Sequence, residues 1–381
     1  VKLRYIALRL EAWGYVNKAH LRGLINDKIN TLLLFTNYSN SMESSQKKLE
    51  PFKITMLGPS GVGKTSLLTV MWRQMKAGLD VNQLRLEAGN PEKPGSDYET
   101  SNFLNTCEEE LKQLVKRNNR WIAEGGIPGT ANAKKFDFYF SNLQKISSLL
   151  LEFQDYPGGW VIGEDPQKLE TGIQEREQKI NRVIDYIKDA NVTILAIDTP
   201  ALIEKKGKYH VQINKTEIIK EILLKAYIED LSEQPKLLIF APVKCENYLK
   251  KANNIQQIEQ SICSQYKELI DILKNPDFSN ISAVITPVQT VGNVLFSYIR
   301  EIEENGKVTP KFVYEKTNNF ELMPVNAEQP LRYILQFALK FYIDQNCLSL
   351  DEDLKVAMNQ FAAGCNLDGG FVISNGDTNS G

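Results

Sequence analysis

Residues 58–65 read Gly58-Pro59-Ser60-Gly61-Val62-Gly63-Lys64-Thr65, and this octet decides the fold. It fits G-x-x-x-x-G-K-[ST], follows the apolar run Lys53 to Leu57 and precedes Ser66, Leu67, Leu68, Val70 and Met71, which have helical spacing. A strand that turns directly into a helix through glycines is a site for phosphate. Gly58 and Gly63 permit backbone angles and close approach that a Cβ would block, so the N–H groups of Ser60, Gly61, Val62 and Gly63 can point inward at a helix N-terminus that favours anions. Lys64 is then expected to bridge β- and γ-phosphate oxygens, Thr65 to place its hydroxyl on Mg²⁺, and Ser66 to lie near the α-phosphate.

Outward from the octet, apolar runs at 53–57, 134–141, 147–155, 191–198, 236–243 and 280–288 alternate with helical patterns at 63–77, 168–189, 213–230, 254–273 and 328–345. Only Ser141 to Ser147 separates the second run from the third, too little for a crossover helix, so these two should form an antiparallel hairpin. The expected fold is a three-layer α/β domain over 51–345, with a mixed, mostly parallel sheet of about six strands and one antiparallel edge strand. Residues 78–125 form an insertion with a helix around 98–121. The β-rich pieces 311–316 and 320–324 suggest an appended hairpin within about 300–325. Residues 346–381 read as a partly disordered tail, Gly-, Asn-, Ser- and Asp-rich from 364 onward.

Composition narrows the chemistry. The 381 residues carry 45 Lys+Arg against 47 Asp+Glu, a balance without the basic excess that drives phosphate-backbone binding, which argues against a nucleic-acid partner. Two histidines, His20 and His210, are too few for a multi-histidine metal site, and five widely spaced cysteines without a C-x-x-C encode neither a zinc knuckle nor a disulfide framework. A reducing, cytoplasmic setting is expected. No apolar run approaches the roughly 18 residues of a membrane span, and no signal peptide or lipidation motif is visible. Residues 1–41 are locally basic, and the composition shifts at the polar stretch Ser39 to Lys48, which holds Met42. A natural start at Met42 and an ordinary helical N-terminal extension over 1–50 are both open readings.

Two runs end in an aspartate that could serve magnesium: Leu149 to Asp155 and Val192 to Asp198. Asp155 continues as Tyr156-Pro157-Gly158, a D-x-x-G in which the glycine N–H can reach a γ-phosphate while the aspartate holds a magnesium-bound water. Asp198 continues as Thr199-Pro200, without the adjacent glutamate that many ATPases use to activate water.

With these elements in this order, residues 52–340 resemble the P-loop GTPases of the translation-factor-related, Ras-like class. The resemblance implies that Thr130, in Gly126-Ile127-Pro128-Gly129-Thr130, closes over magnesium and γ-phosphate; the other reading is a turn threonine in a Gly/Pro loop. It implies that Lys64, Thr130 and Gly158 act on the terminal phosphate, with Thr65, Thr130 and Asp155 serving the metal. Base recognition by [NT]-K-x-D has a degenerate counterpart in Val243-Lys244-Cys245-Glu246, where Lys244 can lay its stem along the purine and Glu246 can accept from guanine. The last base-contacting loop would fall at Thr286 to Thr290.

Ras-like members place a Gln directly after D-x-x-G, whereas this chain has Gly159 and then Trp160, so slow hydrolysis is expected. A carboxylate from Glu164 or Asp165, an arginine from the insertion (Arg85, Arg117, Arg120), or an arginine from a partner or second copy could supply the missing group. The oversized insertion and the Asp-Tyr-Pro-Gly-Gly loop resemble prokaryotic double-GTPase-type proteins of conflict and signalling operons. The expectation is a GTP/GDP switch with a protein effector or regulator. An ATP-handling P-loop enzyme and a nucleotide-stabilised scaffold remain the alternatives.

Overall fold

The structure is a computed structural model. It describes residues 50–78, 84–90, 93–116, 121–122, 127, 132–142, 148–161, 170–230, 232, 234–250, 252–304, 307–317, 321–344, 352–362 and 371–373. In chain order the elements are β1 (Phe52–Leu57), α1 (Lys64–Gly78), β2 (Leu84–Ala88), α2 (Ser96–Lys116), β3 (Trp121–Ile122), β4 (Lys134–Asn142) and β5 (Ser148–Asp155). Next come α3 (Glu170–Asp189), β6 (Val192–Asp198), α4 (Thr199–Ile203), α5 (His210–Asn214), α6 (Thr216–Ile228), β7 (Lys236–Val243), α7 (Ala252–Gln265) and α8 (Lys267–Leu273). The chain continues through β8 (Ile281–Ile285), β9 (Val294–Glu304), β10 (Lys307–Lys316), α9 (Gln329–Asp344), α10 (Glu352–Ala362) and β11 (Phe371–Ile373).

The main sheet runs β11-β8-β7-β6-β1-β5-β4-β2. Its five central strands, β8 to β5, are mutually parallel, and every residue of β6 and β7 is buried, as strands covered on both faces require. Side-chain alternation sends Phe52, Ile54 and Met56 of β1 to one face, where α1, α2, α9 and α10 cover them, and Leu57 to the other, beneath α3, α6 and α7. The expected three-layer α/β sandwich is present, with a wider sheet.

The hairpin between β4 and β5 is antiparallel as expected, but β4 is not the edge. The insertion adds β2 outside it, and β11 pairs antiparallel with β8 at the far side, giving eight strands. Two expected helices are each broken in two: 213–230 by Lys215 at φ 50°, and 254–273 at Tyr266. The appended hairpin is β9–β10, earlier and longer than 311–316 with 320–324, and it carries β3 of the insertion as a third strand. Within the stretch read as a tail, α10 packs Leu354, Ala357, Met358 and Phe361 onto the core, and β11 joins the sheet.

This topology positions one crevice. The chain leaving β1 returns to the sheet on the β5 side, then crosses to β6 on the other, so the connections diverge at the carboxyl end of β1. Met56 lies level with Asp155, Leu57 with Leu195, and Asp198 with Val243, which gathers the octet, Asp155, Asp198 and the 243–246 segment along one rim.

Candidate functional site

The octet is compressed against its neighbours. Gly58 sits at φ 146°, and a Cβ there would stand 3.0 Å from the Ala196 carbonyl oxygen of β6, so only glycine lets the turn start at that point. Helix α1 begins at Lys64, closes its first turn with Leu67 N–H on Gly63 O at 2.8 Å, and carries no acidic residue in that turn. Its positive end is therefore left for an external anion.

Lys64 is buried, and its ammonium donates to the carbonyls of Gly58 at 2.7 Å and Pro59 at 3.4 Å, beneath the rim of the turn. Burial lowers its pKa and the nearby Asp155 carboxylate opposes that shift. Thr65 Oγ1 donates to Asp155 Oδ2 at 2.9 Å, which joins the first turn of α1 to the end of β5. Ser66 stands beside them in the same turn. A hydroxyl and a carboxylate beside a phosphate cradle form the hard-oxygen donor set that magnesium takes together with phosphate oxygens and water, so these residues fit the ion.

The two candidate aspartates make different contacts. Asp198 accepts the Ala201 N–H at 2.9 Å as the cap of α4 and takes the Lys244 ammonium at 2.6 Å, so its oxygens are engaged away from Thr65. Beyond Asp155, Gly158 lies on the octet itself: a Cβ there would stand 2.2 Å from the Ser60 nitrogen and 2.5 Å from the Pro59 carbonyl carbon. Residues Gly158–Trp160 make one 3-10 turn, and Trp160 stacks on Tyr156 with centroids 6.2 Å apart. Tyr156 is fully buried, and burial pushes its phenol well above the ordinary range, so it stays neutral.

The 243–246 segment meets the octet from the other side. Lys244, at φ 59°, donates to Gly61 O at 2.9 Å, and Val243 packs against Gly63, where an added Cβ would lie 3.4 Å from its Cγ2. Glu246 is buried, and its Oε1 accepts from Val291 N–H at 2.7 Å, Gly292 N–H at 3.3 Å and the Thr290 hydroxyl at 3.4 Å. It thus fastens the loop after β8, while burial raises its pKa against the pull of those amides. The 286–290 loop lies beside this segment: Val288 N–H reaches Pro242 O at 2.8 Å and Cys245 N–H reaches Val288 O at 3.1 Å.

Thr130, Glu164, Asp165, Arg117 and Arg120 lie outside the described residues, and Arg85 falls on β2 opposite Ser141. Sequence reasoning missed Asp198 as the anchor of Lys244. It also missed Asn247, whose side chain exchanges hydrogen bonds with both backbone groups of Phe296 at 2.7 and 2.9 Å, tying this segment to β9. Among the described residues no cluster of three or more His, Cys, Asp or Glu could hold a metal, and no helix is long and apolar enough to cross a membrane.

A parallel-cored sheet with G-x-x-x-x-G-K-[ST] at its switch point defines the α/β fold of the P-loop NTPases. No protein-family model and no curated protein matches the chain. Among solved structures, one match is Methanosarcina barkeri Roco2 RocCORdC bound to GDP, at 13% identity and a TM-score of 0.27, covering 86% of this chain and 70% of that one. The fold class is read from the sheet and loop of this chain, not from that superposition.

Proposed function

We propose that the chain is a guanine-nucleotide switch that binds GTP and GDP with Mg²⁺ and hydrolyses GTP slowly. One observation carries this reading: the segment ending β5 touches the octet twice, through Asp155 on Thr65 and through Gly158 on Ser60. A single loop at that place is positioned to respond to the third phosphate.

In this reading the inward N–H groups of residues 60–63 hold the β-phosphate, and Lys64 swings its ammonium from the Gly58 and Pro59 carbonyls toward β- and γ-oxygens. Thr65 and Asp155 would hold the magnesium, which when bound would neutralise phosphate charge. Thr130 closes on the terminal phosphate from the insertion side, and the Gly158 N–H meets it from the other. Gly159 has no side chain to orient water, and the Trp160 ring is stacked on Tyr156, so turnover stays slow until a partner, a second copy or the insertion adds a group. The insertion and the β9–β10 hairpin are the surfaces offered to an effector or regulator. A cytoplasmic setting supplies the nucleotide.

Lys244 and Glu246 stand at the base end of the crevice. The engagement of Glu246 Oε1 by the 290–292 loop favours a second reading, in which the purine is chosen less strictly and ATP is also handled. Titration with fluorescent GTP, GDP and ATP analogues, with Lys64→Ala as control, separates the two. Preference for ATP removes the guanine assignment, and single-turnover GTP cleavage distinguishes a switch from a scaffold.

A further inference from the structure

Asp198 ends β6 on the same rim as Asp155, yet its contacts point to a different task. Its Oδ2 holds the Lys244 ammonium at 2.6 Å, and the same ammonium donates to the Gly61 carbonyl at 2.9 Å. One lysine therefore joins β6 to the phosphate turn. The Asp198 backbone is fixed in its turn: its N–H donates to Asn214 Oδ1 at 2.7 Å, and its carbonyl accepts from Asn214 Nδ2 at 3.2 Å. Asn214 is itself buried, with Nδ2 also on His210 Nδ1 at 2.8 Å. The anchor thus reaches from the turn through β6 to α5.

Lys244 needs such an anchor. Its φ of 59° is a left-handed conformation that a lysine keeps only when its surroundings fix it. Val243 before it is fully buried and apolar and can make no side-chain hydrogen bond, so the polar link from this segment's side chains to the turn is the Lys244 ammonium. Stretched between Asp198 and Gly61, its stem passes Gly63, where an added Cβ would lie 3.9 Å from Cε. The stem is thus held beside Gly63, its ammonium fixed between two acceptors.

We propose that Asp198 is a positioning residue for the nucleotide base: by holding Lys244 from below, it keeps the methylene stem where a purine ring can rest on it. This deepens the nucleotide-binding reading and rests on it. Without the carboxylate, the ammonium keeps one neutral acceptor, and a lysine so weakly held turns its head to water and takes its stem along.

The test uses the full chain and calorimetric affinities for GDP and for inorganic pyrophosphate, both with magnesium. Asp198→Asn preserves the shape and an oxygen for the Ala201 N–H but ends the charge-assisted bond, and Lys244→Met keeps an unbranched chain without the ammonium. For Asp198→Asn we expect GDP to weaken by about 10- to 30-fold while pyrophosphate changes by less than about 2-fold. The double variant should lose little beyond the worse single one, because both remove the same link. Equal weakening of GDP and pyrophosphate, or additive losses in the double variant, would overturn the role. A wild-type preference for ADP would remove the guanine reading alone, and ADP against pyrophosphate in Asp198→Asn would then decide Asp198. A wild type that binds no nucleotide overturns both.

Discussion

Thr65 and Asp155, 90 positions apart, share a 2.9 Å hydrogen bond at the point where α1 starts and β5 ends. In the proposed reading that bond holds together, before any metal arrives, the hydroxyl and the carboxylate that would serve it, which would spare the ion the cost of assembling them. Asp155→Asn keeps the volume and one acceptor but removes the charge. It should weaken magnesium-dependent GTP binding by about 10- to 100-fold, with little change in GTP binding measured under chelator. Isothermal titration with and without magnesium checks this, and an unchanged magnesium dependence would remove Asp155 from the metal site.

Gly158 offers a steric test of the same loop. A methyl group on it would stand 2.2 Å from the Ser60 nitrogen, and backbone cannot yield as the end of a flexible side chain can. Gly158→Ala should therefore lift the 155–160 loop off the octet at a cost of about 1–3 kcal/mol. The octet itself is untouched, so GDP should still bind within a few-fold of wild type while the preference for GTP over GDP disappears. Retained triphosphate preference would mean that this loop does not sense the terminal phosphate.

How much of this was legible in the sequence depends on the range of each interaction. The octet and Asp155-Tyr156-Pro157-Gly158 are legible as local patterns, and the strand-to-helix context could be read directly, although what demands glycine at 58 and 158 is distant backbone: the Ala196 carbonyl for the first, Pro59 and Ser60 for the second. The preference for Asp155 over Asp198 rests on the neighbouring residues, Tyr156 to Gly158 against Thr199 and Pro200, and the structure brings Asp155 alone to Thr65. The Asp198–Lys244–Gly61 link spans 46 and 183 positions and leaves no local trace. The β9–β10 hairpin does leave one: Asn305-Gly306 between two strand-like runs is a strong hairpin signal, and it outranks the pairing of 311–316 with 320–324. Helix α10 announces itself too, through Leu354, Ala357, Met358 and Phe361 at helical spacing, a pattern masked by the polar tail beyond it.

Glu246 has two roles to separate, fastening a loop and reading a base. Removing its carboxyl outright leaves two amides and a hydroxyl without their buried acceptor, so Glu246→Ala should cost about 2–3 kcal/mol of stability. Glu246→Gln can keep Oε1 as a neutral acceptor and should cost less than about 1 kcal/mol. Its effect on GTP over ATP selection is then informative: a fall of about tenfold or more marks base recognition by the charged carboxylate. Unchanged selectivity in a folded Gln variant leaves Glu246 as a fastener of 290–292 only.

Two buried titrating groups should oppose each other in the pH dependence of stability. His210 lies edge-on to Tyr266, and burial pulls its imidazole from 6.5 to about 4. Because Asn214 Oδ1 accepts from Asp198 N–H, its Nδ2 must be the donor to His210 Nδ1, which fixes the neutral tautomer with its proton on Nε2. As pH falls from 6.5 toward 4 the unfolded chain takes a proton that the folded one refuses, so stability drops, by at most about 3 kcal/mol. Glu259 on α7 runs the other way: burial raises it from 4.5 to about 7, so the unfolded chain ionises first as pH rises, and stability is lost between 4.5 and 7. Between about pH 4.5 and 6.5 the two slopes cancel. His210→Gln should expose the Glu259 slope, with urea midpoints falling as pH rises through this window, and Glu259→Gln should expose the His210 slope, with midpoints rising. Midpoints measured without nucleotide across that range check both signs, and parallel profiles for wild type and the two variants would show that neither group titrates differently in the folded chain.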